Sequence, residues 1–373
     1  MEAVYARHAS LQDFEEFWRD HYDWLKDRGY LLRPRYNPGW VASWIGTNDL
    51  SPEDCEDYYI PQYLYNVDAI RIQDGKSVLL RRADPPSVSD ELEIGRLLSS
   101  PELRSDPRNH CVPIYEALEG PKTETQRNII AVMPFLARWD DAEFNTVGEV
   151  IDFCKQMFEG LQFMHNLNIA HNDAKDTNIM MDWSPIYDIP PHGINVAMNA
   201  NWSGLAKPHS RTTHSVKYYF IDWNLSGHYD PSLGTPMLRP GYGGDQSVPE
   251  FKRNEPCNPF AVDVYCMGNV IRRRFVSVSG WVEAGLSPRR NVEFLQDLIF
   301  EMTNDDPSKR PTMNEVASRF EHICRGLSWW KLRSRVSDKR IPFFFHVLYS
   351  PIHWVIQLTY IFRRIPAIPA YTK

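Results

Sequence analysis

His171, Asp173, Lys175 and Asn178 fall within one short polar stretch, Ile169–Asp182, with the sequence IAHNDAKDTNIMMD. Asp173 and Lys175 are two apart, so an extended loop presents them on one side. Asn178 follows Asp173 by five residues and leads into the apolar run Ile179-Met180-Met181. A carboxylate, an ammonium and an amide gathered at a strand edge suit phosphoryl transfer. The carboxylate can take a hydroxyl proton, the ammonium can meet phosphate charge, and the amide oxygen can bind Mg²⁺. The plain alternative for such a stretch is a solvated polar turn, and His171 reads as a packed structural histidine rather than a base.

Elements on both sides must hold these groups in place. Upstream, Thr146 and Glu149 form a capping-box pattern. It opens a helix with Val150, Ile151, Cys154, Met157, Phe158, Leu161 and Met164 on its apolar faces. Downstream, Val216–Ile221 reads as a strand that ends at Asp222. Between them, roughly residues 183–215 form a Pro/Gly/Asn-rich insertion, expected as a mobile surface excursion. The Gly/Pro-rich Leu225–Ser247 reads as a long mobile loop, and the chain from Phe260 to Arg325 as mainly helical.

The first part of the chain is β-like. Val67–Ile72 alternates, Asp74-Gly75 is a hairpin turn, and Ser77–Arg81 is the returning strand. Ser87–Ser100 reads as a helix, and Cys111–Leu118 and Asn128–Met133 as further strands, broken at Pro134-Phe135-Leu136. Ahead of this, Ser10–Asp13 resembles a capping box, and Leu11, Phe14, Trp18, Tyr22 and Leu25 recur at helical spacing before Gly29.

The 373 residues suit one large two-lobed domain or two small ones, and the formal charge of −7 argues against nucleic acid as the main partner. Six scattered cysteines form no C-x-x-C pair, and residues 1–17 carry no signal-peptide pattern, so an intracellular, cytoplasmic protein is expected.

Taken in order, five motifs resemble those of the eukaryotic protein kinase superfamily, and of divergent fungal kinase-like proteins within it. HNDAKDTN at 171–178 is similar to the catalytic loop H-R-D-x-K-x-x-N, and Asp222-Trp223-Asn224 stands where D-F-G would be. Val248-Pro249-Glu250 stands for A-P-E, DVYCMG at 263–268 for D-V-W-S-x-G, and DPSKRPT at 306–312 for D-P-x-x-R-P-T. The resemblance spans roughly Tyr59 to Gly326.

It implies an α+β, two-lobed kinase-like fold with a small antiparallel β lobe carrying one helix and a larger, mostly helical lobe. The implied organisation is an extension at 1–58, the small lobe at 59–136, the large lobe at 137–327 and a basic and apolar segment at 328–373. It further implies ATP and Mg²⁺ as cofactors. Asp173 would be the catalytic base, Lys175 would touch the transferring phosphate, and Asn178 and Asp222 would hold the metal. Arg81, Met133 and Phe135 would contact the nucleotide or its phosphates, and Glu91 would serve that site as the helix partner of Arg81, with Glu93 the alternative. Glu250 and Arg310 would form a buried ion pair, and Asp263 would brace the catalytic loop.

The chain departs from the family in the small lobe. The three glycines expected over the phosphates fall at Ile60, Gln62 and Tyr65, and the strand lysine becomes Arg81. A one-residue slip would exchange Arg81 with Arg82. Asn172 replaces the arginine of H-R-D, so control by loop phosphorylation should not follow the usual route. The expected function is transfer of the ATP γ-phosphate to Ser/Thr hydroxyls of a protein. The alternatives are a pseudokinase acting as a binding scaffold and a small-molecule phosphotransferase.

Residues 331–340, KLRSRVSDKR, precede an apolar and aromatic run, 341–362, that Arg363 and Arg364 close. Three outcomes are open for 331–364: packing on protein, contact with a membrane surface, or a spanning helix.

Overall fold

The computed structural model describes residues 2–46, 50–60, 64–83, 88–121, 129–240, 244–276 and 289–371. The chain divides into two compact units. One comprises Met1–Ser89, Pro113–Leu136 and Tyr187–Lys207, and the other Asp90–Val112, Ala137–Ile186 and Pro208–Lys373. The architecture is mixed α+β.

The first unit is built on an antiparallel sheet of β1 (Tyr30–Leu32), β2 (Asn66–Arg71), β3 (Lys76–Ala83), β4 (Glu116–Glu119) and β5 (Ile129–Pro134), in the order β1-β2-β3-β5-β4. Gly75 makes the β2–β3 turn at φ +69°, a conformation glycine adopts without steric cost. Helices α1 (Glu2–His8), α2 (Asp13–Asp20) and α3 (Tyr22–Asp27) precede the sheet. The helix expected from Leu11 to Leu25 is broken at His21, and its capping box runs from Gln12 to Glu15 rather than from Ser10.

Trp18, Tyr22 and Leu25 bury their side chains with Val67, Ala69, Val78, Leu80, Ile130 and Val132 of the sheet. That apolar face removes enough surface from water to hold the early helices on the sheet. Arg35 completes the attachment. Its guanidinium grips the fully buried Glu15 carboxylate with two bonds of 2.8 and 3.0 Å and reaches the His8, Ser10 and Asp57 carbonyls.

Residues 187–207 are a correction to the expected mobile excursion, because they are built into the first unit. His192 is buried and its Nε2–H donates to Glu56 at 2.9 Å, while Nδ1 accepts from the Asn195 N–H at 3.1 Å. Trp202 Nε1 donates to the Asp54 carbonyl at 2.7 Å.

The second unit centres on helix α6 (Val147–Asn166), capped by Thr146 and Glu149 as the sequence predicts. Helices α4 (Val88–Leu98) and α5 (Pro101–Arg104) come before it in the chain, and all but the first two residues of α4 cluster with this unit rather than with the sheet. Short strands β6 (Ala137–Arg138), β8 (Ile179–Met181) and β9 (Tyr218–Phe220) form one sheet, and β7 (Ile169–Ala170) pairs with β10 (Gly227–His228). Helices α7 (Pro249–Arg253), α8 (Pro259–Ile271), α9 (Gln296–Met302), α10 (Met313–Arg325), α11 (Trp329–Arg333) and α12 (Phe343–Phe362) complete it.

Gly160 lets α6 approach β9 closely. A side-chain carbon there would lie 2.7 Å from His110 Cβ and 3.0 Å from the Phe220 ring. Gln156 ties the same two elements, donating to the Val216 carbonyl at 3.0 Å and accepting from the Tyr218 N–H at 2.9 Å.

Candidate functional site

The polar loop lies between β7 and β8, and its backbone is fixed from below by one carboxylate. Asp263, fully buried in α8, accepts the His171 and Asn172 N–H groups at 2.7 Å each, and His165 Nε2 approaches it at 3.0 Å. Buried backbone donors at a tight bend need such partners. Asn172 sits there at φ +61°, a left-handed conformation that asparagine tolerates better than most residues.

His171 is structural, as the sequence reading has it. Its Nδ1 accepts from the Asp173 N–H at 3.2 Å, so Nε2 carries the proton and donates to the Ile221 carbonyl at 3.1 Å. The imidazole therefore ties the loop to the residue before Asp222. On the other side, the Ile221 N–H donates to the Asn178 carbonyl at 3.0 Å. These two bonds bring the chain at Asp222 to the polar loop. Asp222 itself has φ +69°, and its Oδ1 accepts from Asn224 Nδ2 at 2.8 Å.

Within the loop the three chemically active groups meet. Lys175 Nζ stands 2.7 Å from Asp173 Oδ2, and Asn178 Nδ2 donates to that same oxygen at 2.8 Å and to the Asp173 carbonyl at 3.0 Å. Asp173 Oδ1 is buried and has no hydrogen-bond partner among the described residues. Burial raises the Asp173 pKa from the usual aspartate range, while Lys175 and Asn178 oppose the rise. One oxygen is thus anchored and the other is buried without a hydrogen bond among the described residues, an unspent acceptor.

Gly244 borders that second oxygen. A side-chain carbon at this position would lie 3.8 Å from Asp173 Oδ1 and 3.3 Å from the Asn172 carbonyl. Glycine adopts this φ of +83° without strain, which lets the backbone pass close to the carboxylate. Sequence reasoning missed Gly244, because nothing in the Gly/Pro-rich stretch around it sets it apart from the other glycines there.

The segment after Asp222 also departs from expectation. Its first residues are stitched to the loop rather than mobile. Gly227 and His228 pair with Ala170 and Ile169, and Ser226 Oγ donates to the His171 carbonyl at 3.0 Å. Asn172 Nδ2 donates to the Leu225 carbonyl at 2.9 Å and to the Tyr229 hydroxyl at 3.1 Å. A neutral amide thus holds this segment where the resemblance would place an arginine. Trp223 is buried with its ring tilted against His171 at 5.1 Å.

Glu250 and Arg310 form the expected buried pair, with two bonds of 2.8 and 2.6 Å. A cavity of about 670 Å³ in the second unit is lined by His165, Tyr229, Phe260 and Arg310, not by Asp173, Lys175 or Asn178.

Among the described residues, no group of three or more His, Cys, Asp or Glu side chains is arranged to hold a metal ion. Asn178 and Asp222 offer hard oxygen donors from one amide and one carboxylate. That small set suits Mg²⁺, which usually draws its other ligands from water and phosphate. The Asn178 nitrogen is engaged with Asp173, which turns its oxygen away from that carboxylate.

In the first unit, Arg81 lies on β3 opposite Asn66 and Ala131. Its neighbour Arg82 shares the face of Val78 and Leu80 and stacks 4.2 Å over the Phe17 ring. Alternation therefore sends Arg81 to the other face of the sheet. Met133 and Phe135 are half-buried at and just after the end of β5. Glu91 lies in α4, but its side chain is outside the described residues, as is Gln62. Ile60 and Tyr65 lie in non-strand backbone ahead of β2.

No protein-family model matches the chain. A light-sensor protein kinase of Ceratodon purpureus is 24% identical over 234 residues, which cover 58% of this chain and 17% of that protein. The match supports likeness to a kinase at a coarse level, for a chain that spans a small part of its relative's length.

Proposed function

We propose that this protein is a kinase-like phosphotransferase that moves the γ-phosphate of ATP to serine or threonine hydroxyls of a protein. The observation that carries the reading is the Asp173 carboxylate, held on Oδ2 by Lys175 and Asn178, with Oδ1 buried and without a hydrogen-bond partner among the described residues. In this reading Asp173 orients the acceptor hydroxyl and takes its proton as the oxygen bonds to the γ-phosphorus, whose bond to the β–γ bridging oxygen breaks to release ADP. Lys175 places positive charge beside the transferring group. Asn178 and Asp222 would hold Mg²⁺, which would offset phosphate charge when bound. Arg81, Met133 and Phe135 are assigned nucleotide contacts by the resemblance alone.

A second reading is a pseudokinase that binds partners without transferring phosphate. Ile60, Gln62 and Tyr65 in place of glycines favour it, because side chains there hinder close backbone approach to phosphates. Thermal shift with ATP, with and without Mg²⁺, separates the two. A ligand at 100 times its dissociation constant stabilises a fold by about 2.7 kcal/mol. The phosphotransferase reading expects a Mg²⁺-dependent shift that Asp222→Ala abolishes; no shift at saturating ATP would favour the scaffold.

A further inference from the structure

Helix α12 is inside out. A surface helix ordinarily buries its apolar stripe and turns polar residues to water. Here two polar side chains, His353 and Gln357, face the rest of the second unit. Gln357 is 2% exposed and accepts from Arg333 Nη1 at 3.1 Å, and His353 Nε2–H donates to the Arg333 carbonyl at 2.8 Å. The chain beyond the helix is pinned to the same unit. A side-chain carbon on Gly148 would collide with the Ala367 carbonyl oxygen, and Ser215 Oγ donates to the Ala370 carbonyl at 2.9 Å.

The outward face is apolar along its length. Phe344 is 70% exposed, Ile352 60%, Val355 62% and Phe362 91%, with Leu348 and Leu358 exposed between them. Residues 343–362 contain no Asp, Glu, Lys or Arg. Monomeric proteins rarely leave a contiguous apolar surface of this kind uncovered.

Charge identifies what covers it. Lys339, which lies 3.3 Å from Glu293, and Arg340, which pairs with Asp338, are exposed before the helix, and Arg363 and Arg364 are exposed after it. Residues 331–364 carry seven Lys/Arg and one Asp in a chain whose formal charge is −7. A second copy docking through α12 would bring basic ends against basic ends in either orientation. Anionic headgroups complement both ends, and acyl chains complement the face between them. Among the described residues no helix is long and apolar enough to cross a membrane, and α12 is held along one side by Arg333.

We propose that α12 docks this protein on an anionic phospholipid surface, lying in the plane of the interface with its Phe344–Phe362 outer face in the lipid. The test is flotation of the full chain with phosphatidylcholine vesicles, with and without phosphatidylserine. The expected result is co-flotation that requires phosphatidylserine, weakens with added salt, and is lost in Ile352→Glu/Val355→Glu and reduced in Arg363→Glu/Arg364→Glu. Both pairs are exposed, so their unfolding temperatures should match wild type. Folded wild type that stays behind with phosphatidylserine vesicles would overturn the proposal. So would a wild-type dimer that ignores vesicles and becomes monomeric in Ile352→Glu/Val355→Glu, which would make a second copy the occupant. Equal flotation without phosphatidylserine would overturn the anionic requirement.

Discussion

Asn178 holds Asp173 twice, donating from one amide nitrogen to its backbone carbonyl at 3.0 Å and to its carboxylate at 2.8 Å. The two bonds fix both the main chain and the side chain of the proposed base. The bond to the carboxylate also favours its ionised form against the burial that raises its pKa. Replacing Asn178 with alanine should therefore move the Asp173 titration midpoint further up, read by NMR of the labelled carboxyl. An unchanged or lower midpoint would remove Asn178 from this role.

Asp152 gives a pH dependence of stability. Burial pushes its carboxyl up to about 7 in the folded protein, although Gln156 Nε2 donates to it at 3.0 Å. Between its ordinary value of 3.8 and about 7, the folded state binds the proton more tightly than the unfolded chain. Stability from this group is thus lost as pH rises through that window. Asp152→Asn keeps an acceptor for Gln156 and should gain about 1–4 kcal/mol at pH 8, with no gain at pH 4. Denaturant unfolding at the two pH values checks the sign.

Gly160→Ala should destabilise the second unit by about 1–3 kcal/mol, because the added carbon meets His110 Cβ and Phe220, neither of which is a flexible chain end. Urea unfolding of the variant measures this, and a neutral result would mean that α6 and β9 can separate without cost.

Arg310 is fully buried against Glu250. Glu250→Ala leaves an uncompensated guanidinium and should cost about 3–5 kcal/mol, whereas replacing both residues with well-packed apolar side chains should cost less. Equal losses for the single and double variants in the same unfolding assay would contradict that account.

What was legible in the sequence was mostly local. The bonds from Asn178 and Lys175 to Asp173 span five and two residues, and the Thr146 cap spans three, so spacing alone brings the partners together. What was missed depends on distant partners. His192 meets Glu56 across 136 positions, and nothing in the composition of the insertion marks it as part of the first unit. Strand β1 is too short to show alternation, and it pairs with residues 69–71. The pairing of Gly227 with Ala170 was hidden by the Gly/Pro content around it, which reads as mobility when the partner strand is not in view.

The most direct test of the proposed chemistry is transfer of labelled γ-phosphate from ATP with Mg²⁺ to a Ser/Thr peptide library, comparing wild type with Asp173→Asn. The account predicts transfer by wild type and loss of most of it in the variant, with ATP affinity nearly intact and the fold unchanged. Equal transfer by both proteins would contradict the role given to Asp173, and no transfer by a wild type that binds ATP and Mg²⁺ would contradict phosphotransfer to serine or threonine itself.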